Sequence, residues 1–204
     1  MSPVRTLDVS SLPAFEISNR APLWWGQLLM AVIEGALLCI LIAMYFYLRL
    51  SVDVWPPPGI KPLGLTLPTL ALIPLVLSAG GSYAASEGAK RDDKRLMLLG
   101  LGANLTLAII FLILRFMEWR TFNFTWASDI HGTLVWTILF LHTFDVIADL
   151  LMTAVLIGIV AGNKHGPKQR MGVHVDSVLW YFLVLIWLPF YVVVYWGPRL
   201  VGSR

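Results

Sequence analysis

Three features of this sequence predict an all-α, polytopic membrane protein built as a five-helix transmembrane bundle. Hydrophobic residues fill 58% of its 204 positions and charged residues 13%, where a soluble domain carries about 25% charge. The mean hydropathy is +0.76. The apolar residues gather into runs long enough to cross, as helices, a hydrocarbon layer about 30 Å thick.

The expected spans are 24–49, 66–86, 96–116, 134–162 and 175–196. Trp24 and Trp25 open the first and Arg49 closes it, side chains suited to the membrane–water interface. Glu34 lies deep inside this span, with Gln27 and Tyr45 on the same face. The loop after it, DVWPPPGIKPLG, contains Trp55 and prolines that cannot continue a helix. The second span carries Pro74 and SAGGSYAAS, whose small residues permit close helix contact in lipid. EGAKRDDKR, 87–95, reads as a charged loop, with Lys90, Arg91, Lys94 and Arg95 available to anionic headgroups. The third span holds Asn104 and ends near Arg115, Glu118 and Arg120, before the aromatic loop TFNFTWASDIHG. In the last, Pro189 predicts a kink.

The segment 1–23 is polar and lacks the basic start and early apolar core of a signal peptide, so the first run is expected to be retained. The domain division is then an N-terminal segment 1–23, a bundle 24–197 and a tail 198–204. Arg5, Arg20, Lys90, Arg91, Lys94, Arg95, Lys164, Lys168 and Arg170 fall on one side of five alternating spans. Arg49, Lys61, Arg115, Arg120, Arg199 and Arg204 fall on the other. That bias places the N-terminus in the cytoplasm and the C-terminus outside. It also accounts for the pI near 9.2 without a nucleic-acid partner. No internal repeat or inverted symmetry is visible.

The fourth span carries the strongest chemical signal. His142, Asp145 and Asp149 lie within about a 60° arc of one helical face. Intramembrane acids must find partners. The trio could ligate a metal, belong to a proton path, or form a polar cluster that sets helix register. Two acids one turn apart repel when both are ionised, so one is expected to hold a proton. At least one is expected to accept a hydrogen bond from a tyrosine, a histidine or a partner residue. Glu34 carries the same choice between structure and proton handling. The single cysteine, Cys39, excludes a disulfide framework or thiolate cage. Of His131, His142, His165 and His174 only His142 lies deep in a span, so no haem or copper is expected in this chain.

Several segments in order resemble subunit III of the haem-copper oxidases in its short five-helix form. IEGALLCILIAMYFYLRL is similar to that family's opening helix, with Glu34 in the place of its buried acid. WPPPGIKPLGLTLPTLALIPLVLSAGGSYAA resembles its WPPPG loop and following helix, and FMEW, 116–119, the acid-bearing end of the next. Residues 141–150 resemble the helix with a THGLHV-type motif, and VLWYFLVLIWLPFYVVVY the terminal helix. There are departures. Asp145 stands where a second histidine is usual and Asp149 replaces a small residue. Trp180 and Trp187 are kept, but Tyr181 replaces a histidine and Val184 an aspartate. Tyr181 is accordingly grouped with Glu34, His142, Asp145 and Asp149 in one expected buried cluster.

The resemblance implies a non-catalytic subunit of a respiratory terminal oxidase in a bacterial plasma membrane. It would stabilise a haem- and copper-bearing subunit I, hold phospholipid and support proton uptake. A nitric oxide reductase accessory protein and a stand-alone proton- or metal-coupled transporter are the alternatives.

Overall fold

A computed structural model describes residues 17, 20–163 and 166–200. Arg5, Lys164, His165, Arg204 and most of the N-terminal segment lie outside the described residues. Five long helices follow one another: α1 (Pro22–Leu50), α2 (Thr66–Arg91), α3 (Lys94–Trp119), α4 (Ile130–Ala161) and α5 (Pro167–Tyr191). A π-helical turn, Val192–Trp196, and a last helical turn, α6 (Gly197–Leu200), continue α5. No strand occurs among the described residues. Each long helix is apolar enough and long enough to cross a membrane, so this is a multi-pass membrane protein.

Local chemistry sets the ends. Pro22 and Pro167 occupy the first turns of α1 and α5, where a missing N–H costs nothing. Asp93 caps α3 by accepting from the N–H groups of Arg95 and Leu96 at 2.9 and 3.1 Å. Asp129 caps α4 through the N–H of Gly132 at 2.8 Å.

Two boundaries differ from the hydropathy reading. The expected loop over 87–95 shrinks to Asp92 and Asp93, because α2 runs on to Arg91 and α3 begins at Lys94. Asp92, at φ 56°, makes the reversal in the left-handed region. Polar residues beyond the hydrocarbon layer thus continue the helices while ending the apolar runs. For the same reason α5 begins at Pro167 and not near 175. At Pro189, where a kink is expected, α5 runs on to Tyr191 and a π turn follows just beyond it.

The tightest pairing joins α2 to α3, where backbones touch. A Cβ on Gly100 would overlap the Ala85 nitrogen, and one on Gly81 would meet the Asn104 nitrogen at 2.7 Å. Close backbone approach of this kind is what small residues permit in lipid. On the other side α5 lies against α2, α4 and α1. Trp180, fully buried, donates from Nε1 to Ser78 Oγ at 2.8 Å and ties α5 to α2. α1 is the least enclosed helix, with Ile33, Ile40 and Tyr47 among its exposed side chains.

Candidate functional site

Two groups of buried polar side chains lie at different levels of the bundle. The first lines a cavity of about 270 Å³ between α1, α4 and α5. Glu34 and Gln27 come from α1, Asp145 and Asp149 from α4, and Asp176 from α5. Asp149 is 3% exposed and neither carboxylate oxygen has a hydrogen-bond partner. Asp176 is 6% exposed; Thr153 donates to its Oδ2 at 3.2 Å, while its Oδ1 has no partner. Glu34 Oε2 and Gln27 Nε2 are also unpartnered. Leu23, Met30, Met152 and Leu179 supply apolar wall. Acids one helical turn apart on α4 thus meet an acid from each of two other helices.

The second group lies where the C-terminal end of α3 meets the end of α5. Arg115 Nη1 donates to Glu118 Oε2 and to Tyr195 Oη, both at 2.8 Å. Tyr195 donates in turn to Glu118 Oε1, closing a ring of three side chains. The Arg115 guanidinium lies 4.0 Å above the Trp187 ring and 5.1 Å from the centre of Phe111. Arg115 and Glu118 are 0% and 2% exposed.

His142 belongs with this second level. Its ring lies tilted against Trp187 at 4.5 Å and edge-on to Phe111, and Nε2 donates to the Leu183 carbonyl at 3.1 Å. Asp149 is seven residues further along α4, about 10 Å in depth, so sharing a face does not bring the two together. Tyr181 is likewise apart from the acids. It lines a separate groove with Gln27 and Phe182, and its hydroxyl has no partner. It follows Asp176 by five residues, a rotation of about 140° around the helix. The hydrogen bond expected at the α4 acids from a tyrosine or histidine therefore does not reach Asp149; Asp176 on α5 accepts one instead from a threonine, Thr153.

The sequence reading passed over Asp176 because hydropathy placed it at the very start of the last span. The helix-start pair Gly166–Pro167 was the signal that sets it deeper. Arg115 and Glu118, expected at a span end, instead pair inside the bundle with Tyr195 of the last helix.

The other expected positions divide. Trp24 and Trp25 form an edge-on pair at 5.4 Å with Trp25 exposed. Trp55 is buried: Nε1 donates to Tyr45 Oη at 3.0 Å, and its ring meets His131 at 4.9 Å. Lys90 and Arg91 pair with Glu87 at 3.7 and 2.8 Å, and Arg95 is exposed. Lys94 donates to the Ala161 carbonyl and to Asn163 Oδ1, at 3.1 and 2.6 Å, neutralising the C-terminus of α4. No set of three or more His, Cys, Asp or Glu among the described residues is arranged to hold a metal ion.

The family model described as cytochrome c oxidase subunit III matches residues 14–198. The chain belongs to that family. Among its relatives, the cytochrome c oxidase subunit 3 of Yarrowia lipolytica is 30% identical over 145 residues, covering 70% of this chain and 54% of that protein. The subunit 3 of Wickerhamomyces canadensis is 28% identical over 187 residues, 88% of this chain and 69% of its own length. That of Gallus gallus is 26% identical over 144 residues, 70% and 55%. The chain thus spans between about half and two thirds of these subunit III relatives. The family match contains all five long helices and both polar groups.

Proposed function

We propose that this chain is the non-catalytic subunit III of a bacterial respiratory haem-copper oxidase. It packs beside a subunit I that carries haem and copper, stabilises it, holds phospholipid at the bundle surface and supports proton uptake during oxygen reduction. The observation that carries the reading is the family match over nearly the whole chain. The ligand chemistry supports placing haem and copper in the partner. His142 is the histidine deepest in the bundle, and its Nε2 is committed to a backbone carbonyl. The cavity acids support a part in proton handling, because intramembrane carboxylates mark such paths. The exposed apolar faces of α1 and α4 suit phospholipid and partner helices.

Affinity purification of the tagged chain from its native membrane, followed by a visible spectrum and metal analysis, tests this. Haem and copper should co-purify in a separate subunit, and the chain stripped of partners should show no Soret band. Non-haem iron without copper in the partner would point to a nitric oxide reductase. Ion flux through the isolated chain in liposomes would point to a transporter.

The same reading sets the N-terminus in the cytoplasm and the C-terminus outside the plasma membrane, from the distribution of basic residues. In a Cys39→Ala background, a cysteine at Ile60 should be labelled by an impermeant reagent on intact cells, and one at Asp92 or Asp93 should not. Efficient external labelling at 92 would invert the topology.

A further inference from the structure

Among the described residues, Tyr195 is the one tyrosine whose hydroxyl donates to a carboxylate, at Glu118 Oε1. The π turn Val192–Trp196 carries it there, a helix irregularity that recurs at functional sites. Tyr195 is fully buried and Glu118 nearly so. A phenol is among the side chains most easily oxidised by one electron, and the step needs a base to take the phenolic proton. Here the base is in place and bulk water is shut out. The other tyrosines lack it. Tyr191 meets the hydroxyl of Thr69 at 2.6 Å, Tyr45 accepts from Trp55, and the Tyr181 hydroxyl has no partner.

Two aromatic rings lie beside Tyr195. Tyr191 is 5.4 Å away, centre to centre, and Trp187 is 6.4 Å away. Trp187 is a poor resting place for an oxidising equivalent. Its Nε1–H has no acceptor, so losing an electron would leave a radical cation, with the Arg115 guanidinium 4.0 Å above the ring. Like charges that close repel strongly in an interior of low dielectric constant. Tyr195 escapes this penalty because its proton leaves with the electron. Tyr191 is the least buried of the three rings and offers the way out to the bundle surface.

We propose that Tyr195 is a reversible one-electron donor, its proton passing to Glu118 and its electron leaving through Tyr191 to an oxidant of the peroxyl-radical class at the bundle surface. The Tyr195 O–H bond breaks and an O–H bond forms on Glu118 Oε1, leaving a neutral tyrosyl radical and a neutral acid. The peroxyl radical takes up the electron and a proton from water and becomes a hydroperoxide. Arg115, buried, then faces an acid without charge, an unfavourable state for a cation out of water. When a reductant of the ascorbate class returns an electron, that imbalance draws the proton back from Glu118 to the phenolate oxygen. The ring of three side chains closes again with no atom lost. Neither step depends on which complex the chain joins.

The test is flash photolysis of the purified full chain in maltoside detergent with tris(bipyridine)ruthenium and persulfate, frozen at intervals and read by electron paramagnetic resonance. Tyr47 and Tyr83, both exposed, are first replaced by phenylalanine. A radical signal should form, and ring-deuterated tyrosine should narrow it, as for a tyrosyl radical. Peroxyl radicals from a thermal azo initiator should raise the same signal. It should outlast the signal of free tyrosine at least tenfold, ignore a water-soluble gadolinium chelate, and return undiminished after ascorbate and a second flash. Tyr195→Phe should abolish it. Glu118→Gln, which leaves the phenol without a base, should lower its yield at least tenfold. No long-lived tyrosyl signal with either oxidant would overturn the proposal, as would a signal relaxed by the chelate. Survival of the signal in Tyr195→Phe, or an equal yield in Glu118→Gln, would overturn it too. The first two results are read with Tyr195 and Glu118 both intact, so they decide the matter even where a variant folds poorly.

Discussion

The ring of Arg115, Glu118 and Tyr195 and the acids around the α1/α4/α5 cavity are both buried polar groups in a membrane bundle, and they are balanced in opposite ways. In the ring, each oxygen of Glu118 accepts a hydrogen bond, and the positive charge of Arg115 is matched by a carboxylate and two aromatic faces, although its Nε and Nη2 have no hydrogen-bond partner. Around the cavity, acid faces acid, and both oxygens of Asp149 are left without a donor. A closed network fixes the positions of the helices that supply it. An open one adds little to cohesion and leaves acceptors that a proton can satisfy. The comparison therefore places cohesion in one level of the bundle and leaves the other to the proposed part in proton handling.

The largest expected effect lies in the closed ring. Glu118→Ala strands the guanidinium of Arg115, fully buried, without its carboxylate. Breaking a buried pair from one side costs about 3–5 kcal/mol, which should appear as a marked fall in the melting temperature of the purified chain in detergent. Unchanged melting would show that the ring holds nothing.

Tyr195→Phe is gentler. It removes one acceptor from Arg115 and one donor to Glu118 while the ion pair stays, and hydrogen bonds to charged groups are worth about 1.5–3 kcal/mol. Melting should fall by less than in Glu118→Ala, and the double variant by less than the sum, since the two act on one network.

The cavity responds more weakly. Glu34→Ala enlarges it and should cost about 1 kcal/mol, an ordinary value for a half-buried truncation. Glu34→Gln keeps the volume and should melt like wild type. If Glu34 handles protons, Glu34→Gln slows oxygen turnover in the assembled complex even so; normal turnover would restrict it to a structural part. Asp149→Asn is expected to have the smallest effect on melting, because the native side chain gives up no hydrogen bond. A loss as large as that of Tyr195→Phe would erase the contrast between the two levels.

How far the sequence could be read follows the same physical division. Apolar runs located five helices, because a continuous apolar run in lipid satisfies its backbone as a helix, and SAGGSYAAS pointed to a packed face without saying that α3 is what packs there. Helix ends were misread wherever polar residues extend a helix past the hydrocarbon layer, at Glu87–Arg91 and at Pro167–His174. That error had a consequence for the site, because it left Asp176 at an apparent interface. Facial periodicity grouped His142 with Asp145 and Asp149, yet periodicity carries no depth, and two turns of α4 separate the histidine from the deeper acid. Tyr181 was grouped with them from its position in a family motif; the angle between it and Asp176 on α5 places it elsewhere. The partnership of Arg115 with Tyr195 joins residues eighty positions apart, and no local pattern signals a pairing of that separation.

The measurement that bears most directly on the division of labour is melting and oxygen uptake recorded on the same preparations of the assembled complex, for Glu118→Gln and for Asp149→Asn. Glu118→Gln should melt several degrees lower and, per intact complex, turn over oxygen at the wild-type rate. Asp149→Asn should melt like wild type and turn over more slowly. The reverse pattern, or two variants that lose stability and turnover together, would contradict the placing of cohesion in the closed ring and of proton handling around the open cavity.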